Sequence, residues 1–284
     1  MDAVSPASRS DTSEFIRRHP TIVIGGLLLI VITLAAILAP WIARDPIIFE
    51  PINRLKGPSA EFWLGTDALG RDVFARMVYG ARISLIVGLS VAVITIIGGS
   101  VIGLLAGYFK AFDAIIMRLM DGIMAIPAIL LAIALVALLG SSVTVVIIAI
   151  AIPEIPRVPR LVRAVVLSVR DLPFVEAARS NGTRVGKLLR RHILPSTIAP
   201  LIVQATYICA SAILTEAGLS FLGAGTPPEI PTWGNMIAGN RLYLQIAPWT
   251  IFAPGICLAL VVLAVNLLGD GLRDRLDPRI SRGM

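Results

Sequence analysis

Five stretches of this chain contain no charged residue at all: 21–43, 83–109, 122–153, 193–215 and 242–269. Apolar runs of about 18 or more residues read as membrane-crossing helices, since ~20 residues at 1.5 Å each traverse a hydrocarbon core of about 30 Å. The run 122–153 is too long for a single crossing. Gly140-Ser141-Ser142 breaks it into a hairpin of a third and a fourth span. The expected fold class is therefore all-α integral membrane, with six transmembrane helices and both termini on one side. Composition agrees, with 56% apolar and 15% charged residues, against about 25% charged in soluble domains.

The first run follows Arg17-Arg18, as the core of a secretory signal would. It is longer than the ~7–15 residues of such a core, and no small-residue cleavage pattern follows, so it is read as an uncleaved anchor. Lysine and arginine set the orientation. With the termini in the cytoplasm, segments 1–20, 109–118, 157–195 and 273–284 hold 18 of the 25 Lys and Arg. That excess follows the positive-inside rule. The predicted organisation is a cytoplasmic tail 1–20, a first helix 21–43, an outer (periplasmic) loop 44–82, a core 83–272 with five further helices, and a cytoplasmic tail 273–284. A net charge of +7 with only 6% aromatic residues, its basic groups lying between apolar spans, describes membrane topology rather than a nucleic-acid surface. The expected surroundings are membrane lipid, with no nucleic acid.

Gly99, Gly103 and Gly107 recur every fourth residue in the second run. Small residues at this spacing let helix backbones approach closely in lipid, which predicts a helix–helix interface with an unspecified partner. The fourth span is irregular: Pro153, Pro156 and Pro159 alternate with Glu154, Arg157 and Arg160. Prolines kink helices, and charges within a membrane are costly. Either the helix leaves the membrane at about Pro153, or the segment faces a wet cavity. Glu154 is accordingly a translocation-path candidate or half of an interfacial pair with Arg157. Asp121 and Glu216 are further path candidates; each also lies near an expected membrane face, where water would solvate it.

The segment 157–195 carries nine basic residues and a helix–turn–helix rhythm. Asp171-Leu172-Pro173 is a helix opening, with Asp171 as N-cap and proline in the first turn. Gly182 is a C-cap, Thr183 an N-cap, and 184–192 a second amphipathic helix before Leu194-Pro195. Two short helices fixed between spans form an element that fits a groove on a soluble partner and passes its motion on as a rigid body. On spacing alone, an ordinary membrane-hugging surface loop is an equal reading.

Glu176-Ala177-Ala178, then Gly182, then Leu194-Pro195 resembles the EAA loop of permease subunits of binding-protein-dependent ABC importers. His192 stands where that pattern often has isoleucine. Gly65-Thr66-Asp67-Ala68-Leu69-Gly70-Arg71-Asp72, Glu216-Ala217-Gly218-Leu219-Ser220-Phe221-Leu222-Gly223 and Pro231-Thr232-Trp233-Gly234-Asn235-Met236 resemble the peptide/nickel branch, the DppC/OppC type. So does Asn266-Leu267-Leu268-Gly269-Asp270-Gly271, running on to Asp277-Pro278-Arg279. The prolines of 153–159 depart from that pattern.

The resemblance implies a type I ABC importer permease fold in the bacterial inner membrane. It implies a second homologous permease subunit, two cytoplasmic ATP-binding subunits docking on the loop 171–195, and a periplasmic or lipid-anchored substrate-binding protein. Glu176, Ala177, Ala178, Gly182, Leu194 and Pro195 are then the ATPase-coupling residues. The implied cargo is di- or oligopeptides, with nickel chelates, glutathione, opines or another small solute as the alternative. The sequence holds no phosphate-binding G-x-x-x-x-G-K-[ST] run, and its two histidines and two cysteines form no metal spacing. No catalytic residue, metal site or cofactor is expected. Asp67, Gly70 and Asp72 lack the spacing of a calcium loop and read as a solvated loop. A stand-alone secondary transporter would need inverted repeats and midplane ion sites, and a membrane-embedded enzyme would need catalytic groups; neither set stands out.

Overall fold

The structure, a computed structural model describing residues 19–276, turns the charge-free runs into helices whose ends differ from those expected. The expected tails 1–20 and 273–284 fall largely on 1–18 and 277–284, outside the described residues. Helix α1 (Pro20–Ile42) opens on a proline in its first turn. Helix α2 (Val73–Tyr108) starts at Val73 rather than at 83, with Asp72 as N-cap accepting from the Phe74 N–H at 2.9 Å. The charge of Arg82 is no boundary: the helix runs through both Arg82 and Arg76. Arg76 is tolerated because its charge meets Asp67 (Nε to Oδ2, 3.8 Å).

The hairpin break lies at Gly140, whose φ of +86° suits glycine, and Ser142 caps the next helix through Val145 N–H. Around it are four short helices: α3 (Lys110–Met124), α4 (Ala128–Leu139), α5 (Val143–Glu154) and α6 (Arg157–Val169). Between α3 and α4 the chain bends by 86°. Pro127 accounts for the break, having no N–H to continue the ladder and a ring that clashes with the preceding turn. The coupling segment supplies α7 (Pro173–Ser180) and α8 (Val185–Leu188). Then come α9 (Ile198–Phe221), α10 (Trp233–Asn240) and α11 (Trp249–Leu276). α9 runs past Glu216 because that carboxylate is buried, not solvated, at 1% exposure. α11 continues beyond 272, where the core was expected to end.

Among the described residues four helices are long and apolar enough to cross a membrane, or five if the bent α3–α4 pair counts as one. The six-helix count is thus met only in its coarser form, an all-helical chain of several crossings. Each 12-residue helix, α4 or α5, reaches about 18 Å, short of the ~30 Å core. Pro153 lies inside α5, and the helical turn through Ile155 and Pro156 leads directly into α6.

The glycine stripe finds its partner in α6. A methyl group added at Gly99, Gly103 or Gly107 would lie 2.5, 2.7 and 2.5 Å from the Cβ atoms of Val158, Val162 and Val166. Both stripes have a four-residue period, so each valine seats against a glycine. In lipid, where apolar burial gives helices little drive to associate, such van der Waals contact holds them together. α1 closes on α11 in the same way at Gly25, where an added methyl would meet the Ala264 carbonyl at 2.7 Å.

The N-terminal ends of α2 and α11 and the short helix α10 are joined by a polar lobe. Asp67 is 2% exposed, so the loop expected to be solvated is instead a buried tie. Its carboxylate accepts from Leu69 N–H (2.8 Å), Arg71 N–H (2.9 Å) and Arg71 Nε (2.7 Å). Trp249 Nε1 donates to the Thr66 carbonyl and Trp233 Nε1 to that of Met77. The Ala68 N–H donates to Asn240 Oδ1.

Replacing Gly103 by valine should lower the thermal stability of the purified membrane protein, because the Pro159 backbone 2.8 to 3.0 Å away cannot move aside. Overpacking of this kind costs about 1–3 kcal/mol. Gly98→Ala, with nothing within 4 Å, should leave the melting temperature unchanged.

Candidate functional site

The segment 171–195 is built by three local rules. Pro173 opens α7 at its first position after the N-cap Leu172; Asp171, expected as the cap, makes no capping bond there and pairs with Arg170 instead. α7 ends in a Schellman turn, with Gly182 N–H bonding to Arg179 O and Thr183 N–H to Ala178 O. The turn needs the φ of +72° that Gly182 adopts. The helix expected over 184–192 is instead α8, a wide π turn Leu189–Ile193 and a 3-10 turn Leu194–Thr197. Pro195 has no N–H to donate back along an α-helical ladder, and Leu194 N–H reaches Leu189 O, five residues back. Thr183 does not cap; the N-cap is Arg184.

These turns sort the segment into two faces. Val175, Ala178, Leu188, Leu189 and Ile193 are buried in the cluster that contains Val158, Val162 and Val166. Glu176, Ala177 and Gly182 are exposed, and beside them Phe174 keeps 47% of its surface open. Ala178 thus packs inward while Glu176 and Ala177 face out, so the motif is split between an anchored residue and two exposed ones. Arg184, Lys187, Arg190 and Arg191 rim it, all exposed. Leu194 is half-buried and Pro195 exposed at the exit into α9.

Two further residues mount the segment on the bundle. Arg170 Nη1 donates to the Gly107 carbonyl at 3.0 Å, satisfying an acceptor at the end of α2. Arg179 sits 5.9 Å over the Tyr108 ring. Spacing did not reveal either contact, since both partners lie more than sixty residues away in sequence; only the basic character of 157–195 hinted at them.

Two of the three path candidates are buried and all are engaged. Glu154, at the end of α5, pairs with Arg157 (Nη1 to Oε2, 3.2 Å) in an ion contact without hydrogen-bond geometry, and Ser211 Oγ lies 3.5 Å from Oε1. Arg157 in turn stacks over Tyr207. Asp121 is exposed and bonded to Arg160 Nη2 at 2.5 Å. With Asp113 and Arg163, which meet through two contacts, it clasps α3 to α6. Glu216 accepts from Ser220 Oγ at 2.8 Å and Thr226 Oγ1 at 3.4 Å. Among the described residues no group of three His, Cys, Asp or Glu is placed to hold a metal ion.

A helical membrane chain that displays a rigid basic-rimmed loop at one end and a polar lobe at the other has the form of a transporter's membrane subunit. Residues 99–282 match the family described as binding-protein-dependent transport system inner membrane component. Residues 13–58 match the N-terminal TM domain of oligopeptide transport permease C. The chain belongs to this family of ABC-importer membrane subunits. It is 62% identical over 94% of its length to a probable peptide ABC transporter permease protein of Sinorhizobium fredii, covering 91% of that protein. It is 45% identical to the dipeptide transport system permease protein DppC of Alkalihalophilus pseudofirmus, over 98% of this chain and 92% of the relative. A glutathione transport system permease protein, GsiD of Pectobacterium atrosepticum, is 42% identical over 94% of this chain and 90% of its own length.

Substituting Gly182 by alanine leaves the space around it open, so its effect is one of backbone alone. The left-handed conformation costs a non-glycine residue about 1–2 kcal/mol. Limited proteolysis at Arg184, Lys187, Arg190 and Arg191 should therefore accelerate several-fold, with little change in the melting of the spans.

Proposed function

We propose that this chain moves di- or oligopeptides across the bacterial inner membrane as one of two homologous permease subunits of an ATP-driven importer. The observation that carries this is the split motif, with Glu176 and Ala177 outward on a turn whose inner face is locked to the α2–α6 pair. Two cytoplasmic ATP-binding subunits dock there, and nucleotide-driven closure displaces α6 and α2 as one body. A periplasmic or lipid-anchored binding protein delivers cargo to the outer lobe. Pairing with a second permease is supported by the apolar faces of α3 and α4, where Ile115, Leu130 and Leu138 are exposed.

The six-crossing topology follows if α3–α4 and α5–α6 each make one bent crossing. Cytoplasmic termini are supported by the 18 of 25 Lys and Arg in the segments this places inside. Glu154 and Asp121 act as structural ties, given their arginine partners, and Glu216 as the anchor of the outer loop. The glutathione permease among the relatives supports a second cargo within the same reading, a small peptide-like thiol.

Glu176→Lys should abolish uptake of labelled dipeptide by at least tenfold in whole cells and reduce the ATP-binding subunits that copurify with the tagged chain, while membrane insertion stays normal. Undiminished uptake with an intact complex would refute the coupling assignment.

A further inference from the structure

The outer end of α9 carries a pocket of about 570 Å³ that coupling does not use. That volume lies within the range of small-molecule sites, about 300–1,000 Å³. Its polar lining comes from four places in the chain: Ser141 at the tip of the α4–α5 hairpin, Ser220 in α9, Thr226 in the following loop, and Asn235 and Arg241 in and just after α10. No Asp or Glu lines it.

These side chains are fixed from behind. Ser141 Oγ donates to the Gly225 carbonyl at 2.6 Å. The two N–H groups of Asn235 Nδ2 are shared among Thr226 Oγ1 (2.9 Å) and the carbonyls of Thr226, Pro227 and Ile230 (3.0, 3.1 and 3.2 Å). Ser220 and Thr226 both donate to Oε1 of Glu216, which is 1% exposed and does not itself line the pocket. The hydroxyl and amide protons are therefore committed to the wall, and Glu216 is the anchor that holds the wall in place.

The remaining strong donor is Arg241. It is exposed, and it is the one Lys or Arg in residues 220–241. Its guanidinium lies 5.7 Å over the Phe221 ring, with Nη1 3.5 Å from the Phe221 carbonyl, a long contact that leaves most of its five N–H groups uncommitted. A planar fork of donors at the edge of a pocket without an acidic side chain matches a carboxylate, which it binds through two parallel bonds.

We propose that this pocket receives the terminal carboxylate of the peptide cargo at the outer mouth, with Arg241 as the contacting cation and Glu216 as the residue that positions the pocket wall. The proposal rests on the peptide reading above. A free carboxylate is what distinguishes a natural short peptide from its amide, so Arg241 confers selectivity at the membrane subunit in addition to any exercised by the binding protein.

The test uses the whole transporter reconstituted in proteoliposomes with its binding protein and ATP. Uptake of a labelled dipeptide is compared with that of its C-terminally amidated form, each loaded to saturation on the same binding protein, for the wild type, Arg241→Gln and Arg241→Lys. Wild type should prefer the free acid. Arg241→Gln should lower free-acid uptake about tenfold, the loss expected for one charge-assisted contact, and leave the amide nearly unchanged. Arg241→Lys should restore part of the preference. If Arg241→Gln lowers both peptides in proportion, or neither, the pocket assignment is overturned while the peptide reading stands. If the wild type takes up neither peptide, the cargo assignment itself fails, and the pocket assignment with it.

Discussion

The seating of Val158, Val162 and Val166 of α6 against Gly99, Gly103 and Gly107 of α2 is the contact on which the rest of the structure depends. In a soluble protein such a pair would be driven together by water. In a bilayer the surrounding chains are as apolar as valine, so only the closeness of the fit favours this pairing over helix–lipid contact. The coupling segment is the direct continuation of α6, and its inner face shares the same cluster. Packed side chains thus connect the helix that carries Glu176 to α6, which itself seats against α2.

The two ends of the bundle are stabilised by different physics. The loop end relies on backbone turns and apolar burial, with its charges on the rim. The opposite end relies on buried polar ties: Asp67 with Arg71 and Arg76, the two indole donors, and Glu216 with its hydroxyls. Breaking one member of a buried ion pair costs about 3–5 kcal/mol, so this lobe resists deformation while the surface around Glu176 stays open.

Much of this was legible from residue order, because membrane helices announce themselves by the absence of charge and because glycine spacing and the Gly182 turn are local signals. The stripe 99–103–107 correctly predicted an interface; its partner had to come from three dimensions, since the valines of α6 look like any amphipathic helix. Helix ends were misplaced wherever charge was taken as a boundary. Arg76, Arg82 and Glu216 all sit within helices, Arg76 and Glu216 because a distant or turn-related partner makes the position tolerable. The buried state of Asp67 was hidden for the same reason. The pocket beside Arg241 left no linear signature, being assembled from residues 141 to 241. The 86° bend was signalled only by Pro127 in an otherwise uniform apolar run.

The seam between α2 and α6 also limits how the chain can vary over evolutionary time. At each of its three steps a glycine and a valine share one small volume, and the backbones on either side leave no slack. At 103 the Pro159 backbone closes the space as well, so no change at 162 admits a larger residue there, whereas a gain at 99 or 107 is compatible only with a loss at 158 or 166. Positions 99 with 158 and 107 with 166 behave as two exchange pairs around a fixed glycine, which predicts that neutral drift crosses the seam by coupled replacements and not by single ones.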